Sequence, residues 1–253
     1  MDKLSFHDYI GPLKRIRKKR YRTTSSWITE NEYFKDWLND NKSGTLWLSG
    51  ILGSGKSVVC AATLDDILCR PRRVNEHVVF FFCQFDNADS LMARTILGTL
   101  IRQCLSADTW SKAVEAKLRE LFEGTSPDAE DLEALLIEVA STSETIKIVI
   151  DGLDECSRPE RLVVLRLLHR LMSASQSIVK IFLSSRDNMI GDIATVFDTC
   201  QQVTMGCEEA RADISMYVNG IIAEKIEAGE LEIGSVQLTK DVRNALIQES
   251  KGM

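Results

Sequence analysis

Short apolar runs and longer segments of helical periodicity alternate along this chain. Residues 45–49 (TLWLS), 78–85 (VVFFFCQF), 146–150 (IKIVI), 179–184 and 201–205 have the length and the β-branched or aromatic content of strands. Segments 56–68, 90–105, 109–122, 128–141, 159–172 and 208–227 repeat their apolar residues at helical spacing. An earlier helix is expected where Thr29 stands as N-cap before Glu30, Asn31 and Glu32, with Tyr33, Phe34, Trp37 and Leu38 forming its apolar stripe and Lys42-Ser43-Gly44 ending it. Strand runs that are apolar on both faces belong in a sheet covered on both sides. Alternation with helices almost throughout implies crossover connections. The expectation is an α/β fold: a mainly parallel five-stranded sheet, helices on both faces, and a partial C-terminal helical segment.

Composition narrows this picture only a little. At 253 residues, 44% hydrophobic and 27% charged, the chain lies in the range of globular proteins, and neither a disordered nor a collagen-like class fits. A net charge of −6 argues against a surface built throughout to attract nucleic acid, so no DNA partner is expected. The cations are unevenly spread, however. Lys14, Arg15, Arg17, Lys18, Lys19, Arg20 and Arg22 fall in one nine-residue run without an acid. That run is either a solvated linker or a patch for an anionic partner. The seven cysteines make no CxxC pair, the N-terminus lacks a signal-peptide layout, and no apolar run approaches membrane-spanning length, so a reducing, cytoplasmic setting without a membrane span is expected. His7, His77 and His169 have no metal-like or triad-like spacing.

The chemistry concentrates at three strand ends. Gly50-Ile51-Leu52-Gly53-Ser54-Gly55-Lys56-Ser57 fits GxxxxGK[ST] and lies between a strand and a helix, where backbone N–H groups and a helix N-terminus can cradle a phosphate. Gly50, Gly53, Ser54, Gly55, Lys56, Ser57 and Val58 are therefore the candidate nucleotide-binding residues, with Lys56 neutralising β/γ-phosphates and the Ser57 hydroxyl on Mg²⁺. The second strand end is KIVIDGLDE, where Asp151, Asp154 and Glu155 repel one another unless a cation sits among them. Asp151 is the candidate metal ligand beside Ser57, and Glu155 or Asp154 would orient or deprotonate the attacking water. The third strand end, KIFLSSR, delivers Arg186 to the carboxyl edge, where ligands of open parallel sheets bind. Cys60 and Cys156 flank two of these motifs and are expected to be packing residues.

The order Trp27, Phe34, Trp37, Leu38, Leu46, Trp47, then GSGKS, IVIDGLDE and FLSSR resembles the NACHT-type P-loop NTPases, in particular the fungal branch sharing the nephrocystin-type N-terminal module. The resemblance covers roughly residues 5–253. It implies a nucleotide-binding switch that takes ATP or GTP with Mg²⁺, hydrolyses it slowly and controls homo-oligomerisation. It also implies phosphate contact by Gly53, Gly55, Lys56 and Ser57, Mg²⁺ at Asp151, hydrolytic roles for Asp154 and Glu155, and a sensor role for Arg186. Residues 22–27 match the stretch that passes the nucleoside. Leu52 stands where this branch usually has proline, and Ser25 where it usually has glycine. The implied organisation is a lead-in arm (1–29), an NTPase domain (30–205) and the start of a helical companion (206–253), since relatives continue into further helices, a winged-helix segment and often repeats. Two other readings are a truncated, non-catalytic nucleotide-binding fragment and a small-molecule phosphotransferase. The second lacks an arginine-rich lid in residues 106–145, and no NKxD motif supports a Ras-like GTPase.

Overall fold

The computed structural model describes residues 7–21, 24–71, 75–105, 112–123, 127–205 and 208–250. Arg22 of the basic run, Cys207 and the expected helix start at Thr109 lie outside the described residues. Five strands, β1 (Gly44–Ser49), β2 (Glu76–Phe82), β3 (Thr145–Asp151), β4 (Ile178–Ser185) and β5 (Gln201–Thr204), form one sheet in the order β2-β3-β4-β1-β5, every pair parallel. The helices are α1 (Ile10–Lys19), α2 (Trp27–Glu30), α3 (Glu32–Asn39), α4 (Lys56–Cys69), α5 (Ala93–Leu105), α6 (Lys112–Glu123), α7 (Ala129–Ala140), α8 (Arg158–Ala174), α9 (Ile190–Val196), α10 (Glu208–Glu227) and α11 (Val236–Ser250).

Period-two alternation in the central strands sends side chains to two separate cores. Ile146, Ile148 and Ile150 of β3, with Val179, Ile181 and Leu183 of β4, pack against α5, α7, α8 and α9. Leu46 and Leu48 of β1, with Val149 and Phe182, meet Leu13 of α1, Ile28 of α2, Phe34 and Trp37 of α3, and Leu64 of α4. The sheet is covered on both faces, as its strand composition requires.

Several local expectations change. The run at 78–85 is a strand only to Phe82, because its partner β3 ends at Asp151, opposite Phe82. Gln84 instead exchanges backbone bonds with the Ser90 hydroxyl, and Phe85 points to solvent at 79% exposure. The cap of α3 is Asn31, whose side chain accepts from the Phe34 N–H, while Thr29 donates its hydroxyl to Ser26 O. Residues 10–19 of the basic lead-in form a helix. Leu13 is buried against the α4 side of the sheet, and Arg17 and Arg20 are ion-paired with Asp65 of α4. Lys14, Arg15, Lys18 and Lys19 stay on the solvent face of that helix.

Candidate functional site

Strand register brings the three motifs to one edge. Asp151 is level with Ser184, which is level with Leu48, one residue before the end of β1. The turn after β1 therefore opens beside the acids of β3 and the serines of β4. Gly53 and Gly55 hold φ at +79° and +87°, the left-handed region that glycine enters without steric cost, and Gly55 is the N-cap of α4. Gly50 is needed for a different reason than backbone freedom. A Cβ there would lie 2.6 Å from Cβ of Met205, whose N–H donates to Ser49 O at 2.7 Å. The Ser54 hydroxyl donates to Ile51 O at 2.9 Å and closes the turn.

Lys56 does not extend away from the loop. Its Nζ donates to Gly50 O and Ile51 O, at 2.8 and 2.7 Å. Burial lowers its pKa, while Asp154, Asp151 and Asp187 pull it back up, which puts the amine and the acids in one electrostatic neighbourhood. Asp151 is 4% exposed, and burial raises its carboxyl above the usual range; the Ser57 and Ser184 hydroxyls beside it and the Lys56 charge act in the opposite direction. Ser57 of the glycine-rich turn and Asp151 of the acidic motif thus lie side by side.

Arg186 bridges the remaining two acids. Its Nε lies 2.6 Å from Asp154 Oδ2, its Nη2 donates to Glu155 Oε1 at 2.8 Å, and its backbone N–H donates to Asp154 Oδ1 at 3.2 Å. The bond to Glu155 raises the arginine's pKa, as does the Asp154 charge. The Asp154 side chain is 4% exposed and the Glu155 side chain 26%, so the two acids have different access to water. The arginine–acid clamp was not foreseeable from spacing, since 31 residues separate Glu155 from Arg186.

A cleft of about 390 Å³ adjoins the glycine turn, lined by Tyr21, Ser25 and Trp27 on one side, Gly53, Ser54, Gly55, Val58 and Val59 on the floor, and Met205, Asp213, Ile214 and Tyr217 opposite. Helix α10 closes it against the N-terminal segment. Asp213 accepts from the Ser25 N–H, and Tyr217 meets Tyr21 edge to face at 6.1 Å. Val58 and Ser25 line this cleft, as do Asp213, Tyr217 and Met205, which carry no local motif. Cys60 and Cys156 are buried, at 0% and 2% exposure. His7 stacks on Phe81 and His169 meets Phe197 edge to face. Among the described residues, no cluster of three or more His, Cys, Asp or Glu side chains is arranged around a shared metal position, and no helix is long and apolar enough to cross a membrane.

Residues 23–186 match the family described as Nephrocystin 3, N-terminal. The chain belongs to that family. That membership fits the resemblance of its motifs to NACHT-type P-loop proteins. Among curated proteins it is similar to the vegetative incompatibility protein HET-E-1 of Podospora anserina, 24% identical over 215 residues, covering 79% of this chain and 15% of that protein. The chain thus spans less than a sixth of that relative's length. Among solved structures, the Aeropyrum pernix ORC1 protein in complex with DNA superposes with a TM-score of 0.42 at 15% identity, covering 99% of this chain and 62% of the other. That superposition is too loose to bear on ligand or partner.

Proposed function

We propose that this chain is the nucleotide-binding switch core of a NACHT-type signalling NTPase: it binds ATP or GTP with Mg²⁺, hydrolyses it slowly, and its nucleotide state governs homo-oligomerisation. The observation that carries the proposal is the meeting of Ser57 and Asp151 at the carboxyl edge, next to the N–H groups of the turn that ends at Gly55. In this reading the amides of residues 53–58 and the N-terminus of α4 take the phosphates, and the cleft beneath Tyr217 takes the nucleoside. Lys56 leaves the carbonyls of Gly50 and Ile51 for the phosphate oxygens, exchanging neutral acceptors for charged ones. The hydroxyl of Ser57 and the carboxylate of Asp151 are hard oxygen donors suited to Mg²⁺, which when bound supplies charge neutralisation at the phosphates.

Glu155 is the better candidate to orient the attacking water, because it is the more exposed acid. Asp154, enclosed and bonded to both the backbone and side chain of Arg186, is a positioning group.

Nucleotide titration of the purified chain, paired with phosphate release, tests this. Lys56→Ala is expected to weaken binding roughly ten- to hundredfold, the loss of one charge-assisted contact of about 1.5–3 kcal/mol. Glu155→Gln is expected to bind as the parent does while releasing phosphate roughly a hundredfold more slowly or worse. A parent chain without Mg²⁺-dependent binding at millimolar nucleotide sinks the proposal, and binding without any release leaves the non-catalytic fragment in its place.

A further inference from the structure

The acid loop carries a feature that nucleotide chemistry does not use. Cys83 follows β2 directly and Cys156 follows Glu155 directly, and their sulfurs lie 3.8 Å apart. Seventy-three residues separate them in sequence, so the fold alone brings them together. Both segments are otherwise anchored to the same strand tip: the Cys83 N–H donates to Asp151 O at 2.9 Å, the Cys156 N–H donates to Leu153 O at 3.2 Å, and a Cβ on Gly152 would lie 3.3 Å from Cys83 O. Gly152, at φ +73°, gives the loop its close approach to Cys83. Cys83 is partly exposed at the rim, and Cys156 lies behind it at 2% exposure.

We propose that Cys83 and Cys156 are a dithiol modification site: a peroxide-class oxidant closes them to a disulfide that fixes the acid loop to the tip of β2. In the first step the Cys83 sulfur takes an OH equivalent from the peroxide, giving a sulfenic acid and one water. In the second the Cys156 thiol displaces that oxygen as another water, so two electrons leave the sulfurs, two thiol protons end in water, and one S–S bond forms. A disulfide is about 2.05 Å long, so the sulfurs must close by less than 2 Å, within reach of side-chain rotation and a small loop shift. Cys156 is bonded through the chain to Glu155, and that shift moves the carboxylate bound to Arg186.

The effect on hydrolysis rests on the function proposed above; formation of the bond does not. The test treats the whole chain with hydrogen peroxide, alkylates the remaining thiols, and maps peptides by mass spectrometry, alongside amide exchange without nucleotide. A Cys83–Cys156 linked peptide, reversible by dithiothreitol, is expected, with exchange across residues 152–156 slowed about tenfold. Phosphate release should fall roughly ten- to hundredfold, as a misplacement near 1 Å would produce. Cys83→Ser and Cys156→Ala should each abolish the slowing while leaving reduced-state exchange as in the parent. Alkylation of both thiols after peroxide overturns the proposal, as does a linked peptide with unchanged exchange. Should the reduced chain release no phosphate at all, hydrolysis fails as a function while the peptide and exchange data still decide the dithiol.

Discussion

Ser25 holds φ at +69°, a region that costs a side-chain-bearing residue about 1 kcal/mol, and its N–H is spent on Asp213 of α10. The resemblance places glycine at this position, and the backbone gives the physical reason. Ser25→Gly relieves the strain but adds flexibility to the unfolded chain, two terms of similar size, so it is expected to leave stability within about 1 kcal/mol. Ser25→Val, β-branched and intolerant of this φ, is expected to cost about 2 kcal/mol or more. Urea unfolding of both variants checks the pair, and equal losses for glycine and valine would remove the backbone explanation. Other site positions differ in how far they could be read beforehand. Gly53, Gly55, Ser57 and Asp151 were legible because the motif spacing carries their geometry. The demand on Gly50 was not, since it comes from Met205, which is distant in sequence and close only once β5 pairs with β1. Nor was the retracted position of Lys56, because loop carbonyls accept a lysine wherever the chain folds back on itself.

Elements buried on both faces were the easiest to anticipate, and those that cover the surface the hardest. The five strands and α4, α5, α7 and α8 fall within a few residues of their expected limits, since their apolar runs face the two cores, and α10 does so as well although none of its described side chains joins either core. Helix α1 was hidden by its cations: Leu13, with Ile10 and Ile16 one turn to either side, marks a stripe, but the flanking Lys and Arg dominate the pattern. Helix α11 leaves Val236, Leu238 and Leu246 exposed, so its periodicity has no core to report. Helix α9 is only seven residues long, and a polar clamp adds to its Ile193 contact with the core. Asp192, with a side chain 6% exposed, accepts from Arg158 Nε at 3.0 Å and Arg161 Nε at 2.7 Å, both on α8. Burial opposes ionisation of Asp192, yet the two arginines outweigh it and hold its carboxyl below the usual range. A carboxyl with a depressed folded pKa contributes stability that is complete above the ordinary carboxylate value near 4 and is lost as pH falls through the folded value. Asp192→Asn is therefore expected to cost about 2 kcal/mol near neutrality, allowing for the exposed Arg158. The difference from the parent should hold between about pH 6 and 8 and shrink on acidification. A gap that widens in acid would reverse the sign and refute the assignment.

The molecule as a whole depends on how α10 meets the N-terminal segment, because that contact closes the cleft beside the glycine turn. Gly220 of α10 sits against the Tyr21 ring so closely that an added Cβ would lie 2.1 Å from its hydroxyl oxygen. No rotamer of alanine avoids this, so Tyr21 must swing or α10 must move, and either change opens the wall formed by Tyr21 and Tyr217. On an unobstructed helix, glycine to alanine gains up to about 1 kcal/mol of helix propensity. Here that gain is set against the displaced aromatic contact, and the net change in thermal stability of the nucleotide-free chain is expected to be near zero. On the function proposed above, nucleotide affinity should by contrast fall about tenfold, or 1.4 kcal/mol, since the wall of the cleft is the part displaced. A ligand that binds only the folded state raises stability by about 2.7 kcal/mol at a hundred times its dissociation constant. In a chain of this size that is a rise in melting temperature of roughly 5–10 °C. Gly220→Ala should reduce this nucleotide-induced rise at fixed ligand while leaving the unliganded melting temperature nearly unchanged, a separation that a general loss of packing could not produce. An alanine variant that melts higher and binds as well as the parent would mean that α10 is a passenger and not the wall of the nucleotide cleft.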